Sequence, residues 1–259
     1  MKTLTLGLLL TMLIAGPATA NESTMKELTP TGKLRVGVVF APTMSTFFVV
    51  RDADGKPRGV TVDLGEMLAK RLNVPVEFVV YPNSGLATDA VESGAVDVSF
   101  MPIDEQRRSR LAVGPDYVRA ESTYMVTAAS GAKTVDDVDK AGMRVIGIAN
   151  TTTIRAAERT LKNTKITPVT SVDDAIAAMK DGTADAFALG RGDLPAYVKQ
   201  VPGSRVTDGH FQQMGVAIAV RKGKPQALAA ITEFMNAAKT DGTVRKALDK
   251  GGFSEPVAP

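Results

Sequence analysis

The sequence predicts an α/β fold in which mostly parallel sheets are flanked by helices. Segments rich in β-branched residues alternate with amphipathic patterns of about ten residues, which is typical of βαβ units. A length of 259 residues suffices for one large domain or two modest lobes, each with its own core. Hydrophobic residues make up 44% of the chain and charged residues 23%, a composition that excludes wholesale disorder.

The first half of the chain is predicted to contain three strands separated by two helices. Leu64 and Leu68 recur at helical spacing, and Asn73 followed by Pro75 is typical of a helix end. We expect residues 21–32, which are polar, to form a frayed lead-in. The predicted strands are 34–40, 76–81 and 96–101, and the predicted helices are 63–72 and 86–93.

The second half continues the same alternation. Val172, Ile176 and Met179 share one face of a predicted helix. The predicted strands are 123–129, 144–149, 166–170, 184–189 and 215–220, and the predicted helices are 154–161, 172–180, 194–200, 225–239 and 243–249. Strands connected through helices favour parallel pairing, because a parallel crossover needs a long connection.

The composition excludes several classes of function. The chain has no cysteine, so it has no disulfide, zinc knuckle, iron–sulfur cluster or thiol nucleophile, and its single histidine excludes a multi-histidine metal site. The formal charge of +3 is spread along the chain, which is not typical of a nucleic-acid-binding protein. With no tryptophan and four tyrosines, stacking platforms for bases or sugars are not expected. No cofactor or metal is predicted.

The first twenty residues are predicted to be a secretory signal peptide. Lys2 supplies the positive n-region, residues 4–15 are apolar, and Ala18-Thr19-Ala20 is typical of a cleavage site. The apolar segment is shorter than the roughly 20 residues that a membrane-spanning helix needs. We therefore expect export and, in a Gram-negative source, a periplasmic protein.

A potential anion site lies where the predicted strand 144–149 enters the next helix. Thr151, Thr152 and Thr153 place three hydroxyls and free backbone N–H groups at a helix N-terminus, at the carboxyl end of a strand. Open α/β sheets bind ligands at such edges. Plain helix capping by threonine explains the same residues, and the pattern alone leaves both interpretations open.

An ordered set of segments resembles the extracellular solute-binding proteins of the amino-acid type, which serve ABC importers. Each segment alone is weak evidence, but together they extend over essentially the whole mature chain. In chain order they are G-K-L-R-V-G-V at 32–38, D-G-K at 54–56, G-V-T-V-D-L at 59–64, S-G-A-V-D-V at 93–98, I-D-E-Q-R at 103–107 with Tyr117 ten residues later, T-T-T at 151–153 and G-T-A-D-A at 182–186.

The resemblance implies a type II periplasmic-binding-protein fold, with two α/β lobes joined by two crossing strands. The first lobe would be discontinuous, 27–120 plus 211–259, and the second would be 121–210. A ligand in the cleft would close the lobes by a hinge motion. The implied partners are a small carboxylate or amino-acid-like ligand and an inner-membrane ABC permease, with the binding protein a monomer.

The resemblance also assigns roles to individual residues. Arg107 matches the family arginine that binds the ligand's α-carboxylate, a role suited to a planar guanidinium that stays charged in a cleft. Thr152 and Thr153, with Thr151, would add hydroxyl and backbone donors from the opposite lobe. Phe47 stands near the aromatic that covers the ligand side chain in the family. Alternatively, Arg107 belongs to a solvated basic turn and Phe47 to the core.

The sequence departs from the family pattern at the position that binds the ligand ammonium. The expected aspartate, five residues after Asp185, is Gly190. Asp193 is an alternative only if the loop 190–192 is rearranged, and Arg191 is available to a second acidic group. Phe100 and Met101 stand where small or hydroxylated residues commonly line the pocket. These departures favour a small carboxylate with a less polar body.

Two other functions remain open at this level. The fold also resembles periplasmic cyclohexadienyl dehydratases, which would need a carboxyl group of raised pKa near Arg107. Glu105, Glu121 and Glu158 are available acids nearby in sequence, and none lies in a recognisable catalytic motif. The other alternative is a sensory binding protein that docks on a receptor, and docking surfaces leave no motif. Transport without catalysis is the preferred hypothesis.

Overall fold

A computed structural model describes residues 22–259, so the predicted signal peptide lies outside the described residues. The helices are α1 (Glu22–Leu28), α2 (Val60–Leu72), α3 (Ser84–Ser93), α4 (Glu105–Arg110), α5 (Val135–Val138), α6 (Thr152–Thr160), α7 (Val172–Lys180), α8 (Leu194–Val198), α9 (Pro225–Thr240) and α10 (Thr243–Lys250). The strands are β1 (Leu34–Phe40), β2 (Phe48–Arg51), β3 (Pro57–Arg58), β4 (Val76–Tyr81), β5 (Val98–Pro102), β6 (Leu111–Val126), β7 (Val145–Ile148), β8 (Ile166–Val169), β9 (Ala186–Gly190), β10 (Arg205–Val206) and β11 (Gln212–Arg221).

The predicted parallel sheets are present on both sides of the molecule. β1 pairs in parallel with β4 along its length and with β5 at Val36 and Gly37. On the other side β7 pairs in parallel with β8 and β9. The helices that follow these strands cover them, and the apolar side chains of Val36, Val145 and Ala186 are fully or almost fully buried. The α/β prediction is therefore confirmed.

Two long antiparallel strands connect these parallel sheets. β6 has 16 residues and pairs with β11 over its first part and with β9 over Ser122–Val126. β11 pairs in turn with β5, so the strand order runs β5-β11-β6-β9 across the middle of the molecule. The sequence predicted only the end of β6, as a strand at 123–129, because Gly114 and Pro115 interrupt the earlier part of the pattern.

The expectation of a frayed lead-in at 21–32 is wrong, because α1 packs against α9. Leu28 is buried in the main core. Glu27 accepts hydrogen bonds from the backbone N–H groups of Gln226 and Ala227, at 2.7 and 3.0 Å. α9 begins with Pro225 and has no side-chain cap of its own, so Glu27 supplies one from a distant segment.

Glu27→Ala is expected to lower the free energy of unfolding by about 1 kcal/mol, the typical loss for a helix cap. In a chain of this size that loss lowers Tm by about 2–4 °C. Thermal unfolding measures the effect, with the exposed neighbour Lys26→Ala as the matched control. An equal Tm for both variants would show that Glu27 does not stabilise α9.

No helix within residues 22–259 combines the length and the apolar character that a membrane span requires.

Candidate functional site

The cleft between the two parallel sheets is closed by direct contacts. Asn83, which caps α3, donates from Nδ2 to the carbonyl oxygen of Thr170 at 3.1 Å. Arg155 on α6 donates from Nε to Oδ2 of Asp104 at 2.7 Å. These contacts join the β4–α4 region to the β7–β8 region and leave a small space between them.

The enclosed cavity has a volume of about 60 Å³. A water-sized group takes roughly 10–15 Å³ of such space, so the cavity holds about four to six atoms other than hydrogen. Its walls combine hydroxyl, amide and carboxyl groups with apolar side chains: Ser45, Thr46, Phe47, Phe48, Asn83, Ser84, Pro102, Ala120, Ser122, Ile148, Thr151, Thr152, Thr153, Leu189, Gly190, Asp193, Met214 and Val216. Such a site suits one small polar group of atoms rather than a ring system.

The guanidinium of Arg107 lies directly behind one wall of this cavity. It donates from one Nη to the hydroxyl of Ser84 at 2.7 Å and from the other to the carbonyl oxygen of Pro102 at 2.6 Å. Arg107 is only 1% exposed. Ser84 and Pro102 both line the cavity, so the guanidinium is one side chain removed from its contents.

Arg107 makes no ion pair with any residue between 22 and 259, although a carboxylate is close. Asp104 accepts a hydrogen bond from the backbone N–H of Arg107 as the cap of α4, but its ion pair is with Arg155, at 2.6 Å. Burial, together with repulsion from Arg155, lowers the pKa of Arg107 to about 9, so the group is still a cation at neutral pH. A buried cation without an ion-pair partner is energetically unfavourable, so the binding of an anion beside it is favoured.

The three threonines at the start of α6 have different roles. Thr151 caps the helix by accepting from the N–H of Ile154 at 3.2 Å, as the capping interpretation predicted. Thr153 shares a hydrogen bond of 3.1 Å with Ser122, and the hydroxyl of Thr152 contacts the sulfur of Met214. All three also line the cavity, so the helix N-terminus faces its contents.

Asp193 also lines the small cavity. β9 ends at Gly190, and the chain turns so that the N–H of Asp193 bonds to the carbonyl oxygen of Gly190 at 3.0 Å. The turn brings the Asp193 carboxylate onto the space that a side chain at position 190 would fill. Asp193 starts α8, but its side chain does not cap that helix and is bonded instead to the hydroxyl of Ser45.

The charge of Asp193 is not balanced by an ion pair within the described residues. Its burial raises its pKa to about 7, and repulsion from Glu255 adds to the effect, while the Ser45 hydrogen bond opposes it. The nearby Arg191 is paired with Glu121, at 3.2 Å. The loop 190–192 thus places Asp193 beside Gly190, which is the arrangement that the Asp193 alternative requires.

A larger cavity of about 770 Å³, here called the hinge chamber, adjoins the small one. The two share Ser45, Thr46, Ala120, Gly190, Asp193 and Met214 as lining residues. The chamber lies between β6, β11, the 190–193 turn and the C-terminal segment, with Asp116, Arg119, Glu121, Arg191, Gln213, Phe253 and Glu255 on its walls. Neither the α6 threonines nor Ser84 line the chamber. Arg107, which is bonded to Ser84, and the N-terminus of α6 therefore lie at the small cavity.

Two residues predicted for the site lie elsewhere. Phe100 packs edge-on against Tyr117, with ring centroids 6.0 Å apart. The hydroxyl of Thr88 donates a hydrogen bond to the sulfur of Met101. Both are buried in the main core and line neither cavity, because β5 runs between β1 and β11 at this point. The prediction for Phe100 and Met101 is corrected, whereas Phe47 does line the small cavity.

The sequence interpretation missed Ser84, Ser122 and Met214. Ser84 follows the cap of α3, so a turn signal before a helix was the available clue. Ser122 and Met214 lie on the long paired strands, where only the pairing of β6 with β11 brings them to the cavity. Within the described residues no group of three or more histidine, aspartate or glutamate side chains is arranged to hold a metal ion.

Comparisons with known proteins agree with this geometry. A sequence model of the family described as bacterial extracellular solute-binding proteins, family 3, matches residues 36–251. The chain is 24% identical over 210 residues to the glutamine-binding protein of Geobacillus stearothermophilus, a match that covers 78% of each. It is also similar to the L-arginine-binding protein of Pseudomonas aeruginosa, at 23% identity over 87% of this chain and 96% of that protein.

Solved structures have the same fold. A mutant of ArgBP from T. maritima superposes with a TM-score of 0.77 at 26% identity, covering 88% of this chain and 99% of the other. An ancestral amino acid-binding protein, AncCDT-1, described as a precursor of cyclohexadienyl dehydratase, has a TM-score of 0.75 at 29% identity, with 88% and 98% covered. The fold is therefore the two-lobed type II solute-binding fold that the sequence predicted.

Proposed function

Because the chain belongs to the bacterial extracellular solute-binding proteins of family 3, we propose that it captures a free amino acid in the small cavity between its lobes. The observation that carries this proposal is that two opposite charges without an ion pair in residues 22–259 meet at this cavity: Asp193 lines it, and Arg107 is bonded to Ser84 and Pro102, which also line it. An α-amino acid carries a carboxylate and an ammonium on the same carbon atom, so it matches both charges at once. The volume agrees, since the shared head of amino acids has five atoms other than hydrogen.

The ligand carboxylate is assigned to Arg107, Ser84 and the N-terminus of α6. A guanidinium has five N–H donors, and Arg107 uses two of them, on Ser84 and Pro102. The backbone N–H groups at the start of α6 favour the same negative charge. One carboxylate bound by both would hold the two sides of the cleft together, which couples binding to closure.

The ligand ammonium is assigned to Asp193, which takes the role expected of an aspartate at position 190. The carboxylate already occupies the space next to Gly190, so the ammonium position is preserved although the residue number is not. This assignment replaces the expectation of a ligand without an amino group. The neighbouring Phe47 and Met214 provide an apolar wall for the first carbons of the side chain.

A panel of ligands tests the proposal. Mature protein is screened by thermal shift with the common amino acids, 2-hydroxy acids, dicarboxylates and aromatic acids. A ligand at a hundred times its Kd adds about 2.7 kcal/mol to the free energy of unfolding, which is readily seen. We expect amino acids to give the largest shifts. A panel in which hydroxy acids match amino acids, or in which nothing raises Tm, would contradict the proposal.

Closure depends on a glycine at the first turn of α3. A Cβ built on Gly85 would lie 2.5 Å from the Cβ of Asn150 and 3.0 Å from its carbonyl oxygen, across the cleft. Gly85→Ala is therefore expected to hold the lobes apart and to weaken amino-acid binding by about 1–3 kcal/mol, roughly five- to 150-fold in Kd. Because alanine favours helix by about 1 kcal/mol, the ligand-free protein should lose no stability.

Calorimetry measures the affinity of this variant, and X-ray scattering measures whether ligand still compacts it. The matched control is Ser93→Ala, at the exposed far end of the same helix. If Gly85→Ala binds and compacts like the wild type, the contact with Asn150 is not part of closure.

In the transport role, we propose that the closed form delivers its ligand to an inner-membrane ABC permease, with the protein exported to the periplasm and acting as a monomer. The proposed lobes are 27–120 with 211–259, and 121–210. Family membership and the closed cleft support this role. Deleting the gene for this protein should abolish uptake of the amino acid found in the screen, and unchanged uptake would favour the sensory role.

One observation favours an enzyme as the second candidate. Asp193 is a carboxyl group of raised pKa near the proposed carboxylate site, which is what elimination from a carboxylated ring requires. The small cavity alone, at about 60 Å³, does not hold such a ring, whereas the larger cavity that adjoins it at Asp193 has the volume for one. Incubation with prephenate or arogenate distinguishes the two, because a binding protein leaves both unchanged.

A further inference from the structure

Arg107 belongs to a group of three charged side chains, together with Asp104 and Arg155. Asp104 accepts a hydrogen bond on Oδ1 from the backbone N–H of Arg107 at 3.0 Å, and its Oδ2 lies 2.6 Å from an Nη of Arg155. The side chains of Asp104 and Arg155 are only 9% and 17% exposed, so their ion pair is largely shielded from water. Arg107 is bonded to Ser84 and Pro102 instead of to a carboxylate.

The three charges come from two sides of the cleft. Asp104 caps α4 and Arg107 lies three residues later, in the first turn of the same helix, so the two side chains stay neighbours when the cleft opens. Arg155 is on α6, which lies across the cleft and belongs to the other proposed lobe. Its ion pair with Asp104 therefore exists only while the two sides are in contact.

Opening the cleft leaves Asp104 with one buried cation within reach. Arg155 moves away with α6, and Oδ2 of Asp104 loses its partner. Of the other arginines on α4, Arg108 is exposed and Arg110 is paired with two acidic side chains of α3. Arg107 is the cation that remains beside Asp104, so attraction between opposite charges favours their pairing in the open form.

The net charge of this group couples closure to the binding of an anion. In the open form Asp104 and Arg107 balance each other. Closing adds Arg155, so that two positive charges face one negative charge in a site largely closed to water. An unbalanced buried charge is unfavourable, and one ligand carboxylate on Arg107 balances it. The closed form is therefore favoured when a carboxylate is bound.

We propose that Arg155 is a positioning residue that frees Arg107 for the ligand. Closing the cleft transfers Asp104 from Arg107 to Arg155, and the ligand carboxylate takes the place of Asp104 on Arg107. The inference rests on the proposed function, because it assigns the ligand carboxylate to Arg107. Without Arg155, Asp104 stays with Arg107 and competes with the ligand. This competition distinguishes the exchange from a simple clamp, in which the ion pair only holds the two sides together.

A double variant separates the exchange from the clamp. The probe is the common L-amino acid that gives the largest thermal shift with wild-type protein, and calorimetry gives its Kd. Arg155→Gln should weaken binding about tenfold or more, because the competing ion pair is retained. Adding Asp104→Asn removes the competitor, so the double variant should bind at least about tenfold more tightly than Arg155→Gln alone. Asparagine caps a helix as well as aspartate does, so α4 keeps its cap.

The α-amide of the same amino acid is a second probe, because it lacks the carboxylate that competes with Asp104. Arg155→Gln should reduce the advantage of the amino acid over its amide about tenfold. Loss of a simple clamp would weaken both probes equally. Arg159→Gln, an exposed arginine on the same helix, is the matched control and should bind like the wild type. Thermal unfolding without ligand checks that each variant is folded.

Failure of this inference is distinguishable from failure of the proposed function. If the wild type binds an amino acid but the double variant binds it no more tightly than Arg155→Gln does, Asp104 does not compete for Arg107 and the proposed function stands. Wild-type affinity in Arg155→Gln leads to the same conclusion. If no common amino acid binds the wild type, the proposed function fails and the exchange fails with it.

Discussion

Arg107→Met should reduce amino-acid affinity by about 100-fold or more without destabilising the ligand-free protein. The loss is expected because a buried guanidinium that binds a carboxylate contributes about 2–5 kcal/mol when its partner is left unpaired. The ligand-free protein, in contrast, holds this cation without an ion pair inside the described residues. Replacing an uncompensated buried charge by an apolar side chain of similar length is neutral or stabilising.

The two readouts together separate a binding role from a structural one. Calorimetry gives Kd, and thermal unfolding without ligand gives Tm. Arg108→Met is the matched control, since Arg108 is the next residue on α4 and is exposed. A large fall in the Tm of the ligand-free Arg107→Met variant, with unchanged Kd, would show that Arg107 supports the fold and does not bind the ligand.

Asp193→Asn should remove the ammonium partner and, with it, the pH dependence of binding. The ligand ammonium favours the ionised carboxylate, and burial raises the pKa of Asp193 to about 7 in the ligand-free protein. Wild-type affinity should therefore be level above about pH 7 and fall by up to about tenfold per unit below it. The asparagine variant should bind about 100-fold more weakly at pH 8 and show no slope in this range.

The groups that face Asp193 come from several elements. Glu255 and Ser45 face it, and the buried Tyr117 and Tyr197 have pKa values raised above the usual tyrosine range. Arg191 is held by Glu121, whose own pKa is lowered by Gln213 and by the charges of His210 and Arg191.

The same raised pKa has a consequence for stability without ligand. The native state holds a proton on Asp193 that the unfolded chain has already released, so this group lowers stability as pH rises from about 4 to 7. The asparagine variant should lose that slope and be the more stable protein at pH 8. Asp181→Asn, an exposed residue at the end of α7, is the control and should match the wild type. A Kd for Asp193→Asn that equals the wild-type value at pH 8 would contradict the ammonium assignment.

The main elements of the fold were predictable because their signals are local. The alternation of apolar strands and amphipathic helices gave β1, β4, α7 and α9 nearly at their observed bounds. β6 was truncated in the prediction because Gly114 and Pro115 weaken its pattern, whereas its pairing with β11 holds it extended. α1 was missed because its stability comes from packing on α9, which no local pattern records.

Site residues that belong to a sequence motif were predictable. Residues that only a turn of the chain brings to the site were not. Counting along the chain places Gly190 where the family has its aspartate. It did not reveal that a tight turn puts the fourth residue beside the first, which brings Asp193 back over Gly190. The sequence Gly190-Arg191-Gly192-Asp193 contains that turn signal. Phe100 and Met101 were misplaced because β5 lies inside the sheet, between β1 and β11, where the side chains on both of its faces are buried.

The central claim is that the cavity binds the two charges of one amino-acid head. The most direct measurement is the Kd of three matched ligands: the amino acid that gives the largest thermal shift, its 2-hydroxy analogue, which lacks the ammonium, and its amide, which lacks the carboxylate. We expect the amino acid to bind about 100-fold or more tightly than either analogue. We also expect Asp193→Asn to erase its advantage over the hydroxy acid, and Arg107→Met to erase its advantage over the amide. Equal binding of the amino acid and the hydroxy acid by the wild-type protein would contradict the account.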